Sequence, residues 1–87
     1  MDRKDTVKFL RYPSTQLVDL AISMANLTIK EEHIIRLYAQ KGMTQEQIAG
    51  REDVSVNAVQ RWIYAAEDKL VACWSGVNWI QTLLGSL

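Results

Sequence analysis

The sequence predicts an all-α fold, and three observations predict it. First, Thr28 with Glu31 and Thr44 with Gln47 have the spacing of a capping box, which starts a helix. Second, Ser55 follows a short polar turn and is a good N-cap residue for a further helix. Third, apolar residues recur at three- and four-residue spacing, as on the buried side of amphipathic helices. We expect five or six helices.

Residues 1–26 are predicted to form an N-terminal extension of two helices. The first covers about residues 3–11 and packs through Val7 and Leu10. Its basic end either contacts a DNA backbone or forms a solvated face, and we favour the second. Pro13 ends it, since the α conformation is disfavoured before proline. We expect the second helix to be buried, because its apolar stripe is wide, and the alternative is a partner-binding surface. The stripe consists of Leu17, Val18, Leu20, Ala21, Ile22, Met24 and Ala25.

A third helix is predicted from the Thr28 capping box to about residue 41. Gly42 follows it, and the left-handed backbone that often ends a helix suits glycine. His33 lies on the side expected to be exposed, with no second metal ligand, so we predict a surface residue and no metal site. The apolar set of this helix is Ile34, Ile35, Leu37 and Tyr38.

Residues 43–71 predict two helices joined by a tight turn, over about residues 45–51 and 56–71. Ala49 is small where two steeply crossing helices approach, and a larger side chain would force them apart. Apolar positions continue across the turn and predict one buried surface: Ile48, Ala49, Val54, Val59, Trp62, Ile63, Ala66 and Leu70. The pattern is that of a helix-turn-helix.

Residues 72–87 contain no charged side chain and predict an apolar C-terminal helix. Polar residues interrupt the stretch, so we reject a membrane span and expect no membrane partner. The helix either completes the monomer core or forms a homodimer. We favour some dimer contact, since a protein that binds DNA through one short helix gains affinity by pairing. The expected dimer residues are Trp74, Val77, Ile80, Leu83, Leu84 and Leu87.

The length and composition limit the classes of protein. Eighty-seven residues make one small domain with a modest core. Ten basic and ten acidic side chains cancel, which counts against strong non-specific DNA binding but leaves room for a local basic face. Cys73 is the only cysteine, which excludes an internal disulfide and a cysteine-rich zinc site. The start lacks the apolar stretch of a signal peptide, so we expect a cytoplasmic protein.

Residues 27–49, Val54, Ser55, Val59 and residues 66–70 together resemble the fourth conserved region of bacterial sigma factors. Many small phage and bacterial regulators share that domain. The resemblance implies a tri-helical helix-turn-helix core over residues 27–71, with additional helices at both ends. The chain is too short for a complete sigma factor, which needs further domains to melt promoter DNA. One residue departs from the family: Asp53 stands where glycine is usual, although Asp tolerates a left-handed backbone better than most residues.

The helix over residues 56–71 is the predicted recognition helix for double-stranded DNA. Asn57 or Gln60 offers two hydrogen bonds to adenine, and Arg61 offers two to guanine. Hydroxyls and amides at the two helix starts are expected to hold phosphates, with Lys41 and Arg51 at the periphery. The alternative is an ordinary solvated helix face. The predicted DNA-binding residues are Thr44, Gln45, Ser55, Val56, Asn57, Gln60, Arg61 and Tyr64.

These observations predict a sequence-specific transcriptional regulator of phage or bacterial type. The alternative is a protein-interaction module that binds RNA polymerase, a sigma factor or another regulator without contacting bases. It is favoured by the cancelling charges of residues 55–70 and by the uncharged tail. Trp62, Trp74 and Trp79 are expected to be core or interface anchors. We expect no enzyme and no cofactor, since no paired carboxylates, activated nucleophile or glycine-rich phosphate loop is present.

Overall fold

The computed structural model describes all 87 residues and contains six α-helices and no strand. In chain order these are α1 (Arg3–Leu10), α2 (Thr15–Met24), α3 (Ile29–Ala39), α4 (Gln45–Glu52), α5 (Val56–Trp74) and α6 (Asn78–Gly85). The predicted all-α class is confirmed, with α3, α4 and α5 as its tri-helical core. None of the six helices combines the length and the apolar character needed to cross a membrane.

Side-chain caps explain where five of the six helices begin. Both predicted capping boxes are present. The Thr28 hydroxyl accepts from the Glu31 amide at 3.1 Å, and Glu31 Oε1 accepts from the Thr28 amide at 2.9 Å. Thr44 and Gln47 form the same two bonds at 3.1 and 2.9 Å. Each box satisfies amides that would otherwise lack an acceptor at the start of a helix.

Left-handed residues lie in three of the connections between helices. Gly42 follows α3 with φ of 67°, and Asn26 lies between α2 and α3 with φ of 59°. Asp53 caps α4 with φ of 56° and ψ of 48°, and its amide donates to the Ala49 carbonyl. The turn between α4 and α5 therefore has the backbone that usually selects glycine, with aspartate in its place.

The core is built around α5, which contacts each of the four preceding helices. Val59, Ile63 and Leu70 are fully buried along one side of it. Trp74 ends the helix, is also fully buried, and donates its indole N–H to the Ala21 carbonyl at 2.9 Å. The ring of Phe9, on α1, meets Trp74 edge-on at 5.1 Å and Trp79 at 6.3 Å. These rings join α1 and the C-terminal segment to the core.

The structure corrects one prediction about α2. Leu20 and Met24 belonged to the expected buried stripe, but their side chains are 52 % and 41 % exposed. The buried residues of this segment are Val18, Ala21, Ile22 and Ala25. The apolar stripe is wider than the area that the rest of the domain covers, so helical spacing alone did not decide which part is buried.

Two expected dimer residues, Trp74 and Ile80, are fully buried inside the single chain. They therefore belong to the monomer core, and the expectation that they contact a second copy was wrong. Helix α6 packs against α1. Val77, Leu83 and Leu84 are half-buried, and Leu87 is exposed. The C-terminal segment thus completes the core with one side and leaves other apolar side chains partly accessible.

Candidate nucleic-acid interface

Helices α4 and α5 form the helix-turn-helix. Ile48 and Ala49 on α4 are buried, as are Val59 and Ile63 on α5, and the two helices pack directly. The left-handed backbone at Asp53 reverses the chain between them. Because buried contacts hold both helices, the outward side of α5 is a rigid surface rather than a mobile loop.

The predicted recognition residues of α5 lie on its outward side. Ser55, Val56, Asn57, Arg61 and Tyr64 are exposed, and Gln60 is half-buried. No carboxylate lies within 4.0 Å of the Arg61 guanidinium, so its donors are free for a ligand. Gln60 Nε2 donates to the Tyr64 hydroxyl at 3.1 Å, which orients both side chains. We call Val56, Asn57, Gln60, Arg61 and Tyr64 the recognition face.

The two helix starts use their hydroxyls for capping. Ser55 Oγ accepts from the Ala58 amide, and Thr44 Oγ1 accepts from the Gln47 amide, both at 3.1 Å. Each hydroxyl still has its own hydrogen to donate, which a phosphate oxygen can accept. The Thr44 amide is already bonded to Gln47, so the predicted phosphate contact at this residue rests on the hydroxyl.

An unpredicted contact joins α1 to α5. Arg3 donates from Nε and Nη2 to the two carboxylate oxygens of Asp68, at 2.8 and 3.1 Å. Its guanidinium also lies 4.4 Å from the centre of the Tyr64 ring. The hydrogen bonds from Arg3 lower the pKa of the Asp68 carboxyl. Sixty-five residues separate Arg3 from Asp68, so no local pattern indicated the pair.

The family model for sigma-70 region 4 matches residues 20–70, more than half of the 87 residues. The chain belongs to the sigma-70 region 4 family. This is a DNA-binding helix-turn-helix family with a transcription-related role and without enzymatic activity. Comparisons with curated proteins and with solved structures gave no significant match.

The family match places the recognition face and its supporting helix α3 within region 4, whereas α1 and α6 lie outside the matched residues. The contact between Arg3 and Asp68 therefore connects a segment outside the match to α5, within region 4. Five of the eight predicted DNA-binding residues form the recognition face, and Ser55 adjoins it. Thr44 and Gln45 lie at the start of α4.

A groove of about 320 Å³ lies between α1 and the region 4 helices. Gln45 at the start of α4 and Tyr64 on α5 line it together with Lys4. Glu67 also lines it and is only 5 % exposed. Burial raises the pKa of Glu67 to about 7, and the nearby charges of Arg3 and Asp68 act in opposite directions on it. The groove thus combines a basic rim with a buried carboxyl.

Ionic contacts join α3 to both helices of the helix-turn-helix, α4 and α5. Glu52 at the end of α4 accepts from His33 Nε2 at 3.1 Å and lies 4.0 Å from Lys30 Nζ and 3.6 Å from Arg51 Nε. Lys69 on α5 donates to Glu31 at 2.7 Å. Burial opposes the charge of Glu31, but its bonds from Lys69 and Thr28 outweigh this and lower its pKa. His33 is exposed, as predicted, and pairs with Glu52.

Proposed function

We propose that this region 4 domain is a sequence-specific DNA-binding transcriptional regulator of phage or bacterial type. The N-terminal half of α5 enters the major groove. The observation that supports this most directly is the recognition face itself. Its Asn57 and Arg61 are exposed, and Arg61 has no internal ionic partner, beside a helix start capped by Ser55.

The recognition face has the donors and acceptors that base edges require. Arg61 presents a free guanidinium to the O6 and N7 acceptors of guanine, and Asn57 presents a side-chain amide to adenine. Gln60 donates to Tyr64, so its carbonyl oxygen remains free to accept from the amino group of adenine or cytosine. Val56 is 38 % exposed and supplies an apolar contact for a thymine methyl.

A homodimer is part of the proposal. One recognition helix covers only a few base pairs, and a two-fold dimer doubles the site and places the half-sites one helical turn apart. The available apolar side chains are those of the C-terminal segment that the monomer leaves partly accessible: Val77, Leu83, Leu84 and Leu87. They are all uncharged, which suits a surface buried between two copies.

The test is selection from random duplex DNA at low and at physiological salt, with the wild type and three variants. We expect the wild type to enrich a motif. Arg61→Lys keeps the charge but loses the bidentate contact to guanine. It should therefore weaken binding to that motif by about 1–3 kcal/mol and relax the preference for guanine at one position. Asn57→Ala should relax the base preference at a neighbouring position of the motif. Asn78→Ala, on α6, is the matched control and should leave the motif unchanged.

Failure to enrich any motif at either salt concentration would contradict the proposal. An enriched motif that neither Arg61→Lys nor Asn57→Ala alters would keep DNA binding but overturn the assignment of the recognition face.

A second candidate function is protein binding without base contact, with bacterial RNA polymerase or a sigma factor as the partner. It is favoured by Leu20 and Met24, two large apolar side chains exposed one turn apart on α2. The test is retention by purified polymerase in the absence of nucleic acid. Leu20→Asp should abolish retention, and Arg61→Lys should leave it unchanged. No retention of the wild type would exclude polymerase as the partner.

A further inference from the structure

The net charge of the chain is zero, but only some of its basic side chains are paired with a carboxylate. Five of the ten basic side chains have a carboxylate within 4.0 Å: Arg3, Lys30, Arg36, Arg51 and Lys69. The other five do not: Lys4, Lys8, Arg11, Lys41 and Arg61. Arg61 belongs to the recognition face. Of the remaining four, Lys4 and Lys8 lie on α1, Arg11 caps its end, and Lys41 follows α3.

We propose that Lys4, Lys8, Arg11 and Lys41 form a basic strip that binds backbone phosphates of duplex DNA beside the start of α4. The inference rests on the proposed function and extends it to a second contact surface, most of which lies outside the residues matched by the family model. All four side chains are exposed.

The spacing on α1 aligns three members of the strip. Lys4, Lys8 and Arg11 are separated by four and three residues, so they lie along one side of the helix. Arg11 is fixed in place, because its Nε donates to the Ala39 carbonyl at the end of α3 at 2.9 Å. Arg11 and Lys41 line a common groove of about 450 Å³, which brings the fourth member beside the third.

The strip adjoins the helix-turn-helix at two points. Lys4 lines the smaller groove together with Gln45 and Tyr64, two predicted DNA-binding residues. Lys41 precedes the Thr44 cap by three residues. Two unpaired cations therefore lie near the start of α4, Lys41 in sequence and Lys4 across the smaller groove. A helix start favours anions through its free amides and its dipole, and nearby lysines add the charge that a phosphate requires.

Four carboxylates lie near these cations, and only Asp19 has a cationic partner of its own. Asp2 and Asp5 accept each other's backbone amides at the start of α1, at 3.1 and 2.9 Å. Asp19, which lines the larger groove, accepts from Arg36 at 3.0 Å. Glu46, in the first turn of α4, is the exposed carboxylate beside the cap. A hydrogen bond from a neutral amide leaves a carboxylate charged, so Asp2, Asp5 and Glu46 stand against the four cations. Four minus three leaves the surface with a small net positive charge on a neutral chain.

The experiment compares two double variants that change the net charge equally. Lys4→Gln with Lys41→Gln removes two unpaired cations of the strip near the α4 start, and Lys30→Gln with Lys69→Gln removes two paired cations. Binding to the selected motif is measured from about 50 to 200 mM salt. Each lost phosphate contact should reduce the slope of log K against log salt by about 0.9. We expect the first variant to lose about 1.8 in slope and roughly tenfold in affinity at low salt, with an unchanged motif.

The control variant should keep the wild-type slope, since its cations lie outside the strip, and circular dichroism should show both variants folded. An unchanged slope for Lys4→Gln with Lys41→Gln, in a protein that still selects its motif, would overturn the strip and leave the proposed function intact. Equal losses in both variants would also overturn it, because net charge rather than position would then be responsible. If the wild type selects no motif, the proposed function fails. In that case the strip is supported only if binding to random duplex DNA weakens in Lys4→Gln with Lys41→Gln and not in the control variant.

Discussion

At the residue scale, Asp53 places an ordinary side chain in a backbone conformation that favours glycine. Its φ of 56° and ψ of 48° lie in the left-handed region, which costs an L-residue about 1–2 kcal/mol. Asp is one of the residues other than glycine that adopt this backbone most readily. The turn between α4 and α5 is therefore a place where stability depends on one residue's intrinsic conformational preference.

Substitution of Asp53 tests this directly. Asp53→Val should lower the free energy of unfolding by about 1–2 kcal/mol, because a β-branched residue is disfavoured at positive φ. Asp53→Gly should match or exceed the wild type, since relief of strain offsets the greater freedom of the unfolded chain. Urea denaturation followed by circular dichroism measures both. Gln16→Val, at an exposed helical position on α2, is the control and should cost less than about 0.5 kcal/mol. Equal losses at residues 16 and 53 would refute the role of the left-handed turn.

At the scale of elements, α1 docks on α5 over a buried carboxyl. Glu67 is 5 % exposed and faces Arg3 and Lys4 of α1, Tyr38 of α3 and Gln45 of α4 across the smaller groove. Burial raises the pKa of Glu67 from 4.5 to about 7. The folded chain therefore binds more protons at this group than the unfolded chain between these two values. The contribution of Glu67 to the free energy of unfolding therefore falls as the pH rises from about 4.5 to about 7.

Glu67→Gln should remove this penalty. At pH 8 the variant should be more stable than the wild type by roughly 1–3 kcal/mol, since one pKa unit is worth about 1.4 kcal/mol. Near pH 4.5 the difference should approach zero. Urea denaturation at several pH values measures it. Glu31→Gln is the control. The pKa of Glu31 is lowered from 4.5, so its contribution is lost only as the pH falls below that value, and its effect should be equal at pH 5.5 and 8. A pH-independent effect of Glu67→Gln would contradict the assignment.

At the scale of the whole molecule, the exposed apolar side chains lie in separate places. Leu20 and Met24 project from α2, and Leu87 follows α6 at 44 % exposed. Leu20 and Met24 are proposed to contact a protein partner, and Leu87 is proposed to contact a second copy of the chain. A chain of 9.9 kDa has a modest core, so burial of further apolar surface by association would add usefully to its stability.

The two proposed contacts predict different effects of Leu20→Asp and Leu87→Asp on dimerisation. The wild type should sediment at twice 9.9 kDa at micromolar concentration. Leu87→Asp should raise the dimer dissociation constant by roughly tenfold or more, because each buried leucine is worth about 1.5–3 kcal/mol. Leu20→Asp should leave the dimer unchanged. Analytical ultracentrifugation measures both. A wild type that stays monomeric at 100 µM, or a dimer disrupted only by the substitution on α2, would overturn the C-terminal interface.

The local features of this fold were predictable from the sequence because they depend on residues three or four apart. The capping boxes at Thr28 and Thr44, the cap at Ser55 and the glycine after α3 each use hydrogen bonds or backbone preferences that neighbouring residues determine. The same spacing predicted the outward position of Asn57 and Arg61. The helix-turn-helix and its recognition face therefore followed from the order of residues alone.

Only the tertiary structure decided which surfaces meet. It buried Val18 and Ile22 of α2 rather than Leu20, and it made Trp74 and Ile80 part of the monomer core. It also paired Arg3 with Asp68 and brought Lys4 beside Gln45. These outcomes depend on how whole helices pack, because an apolar stripe can be wider than its cover and a charge has several partners within reach. Periodicity specifies the side of a helix, whereas packing specifies what covers it.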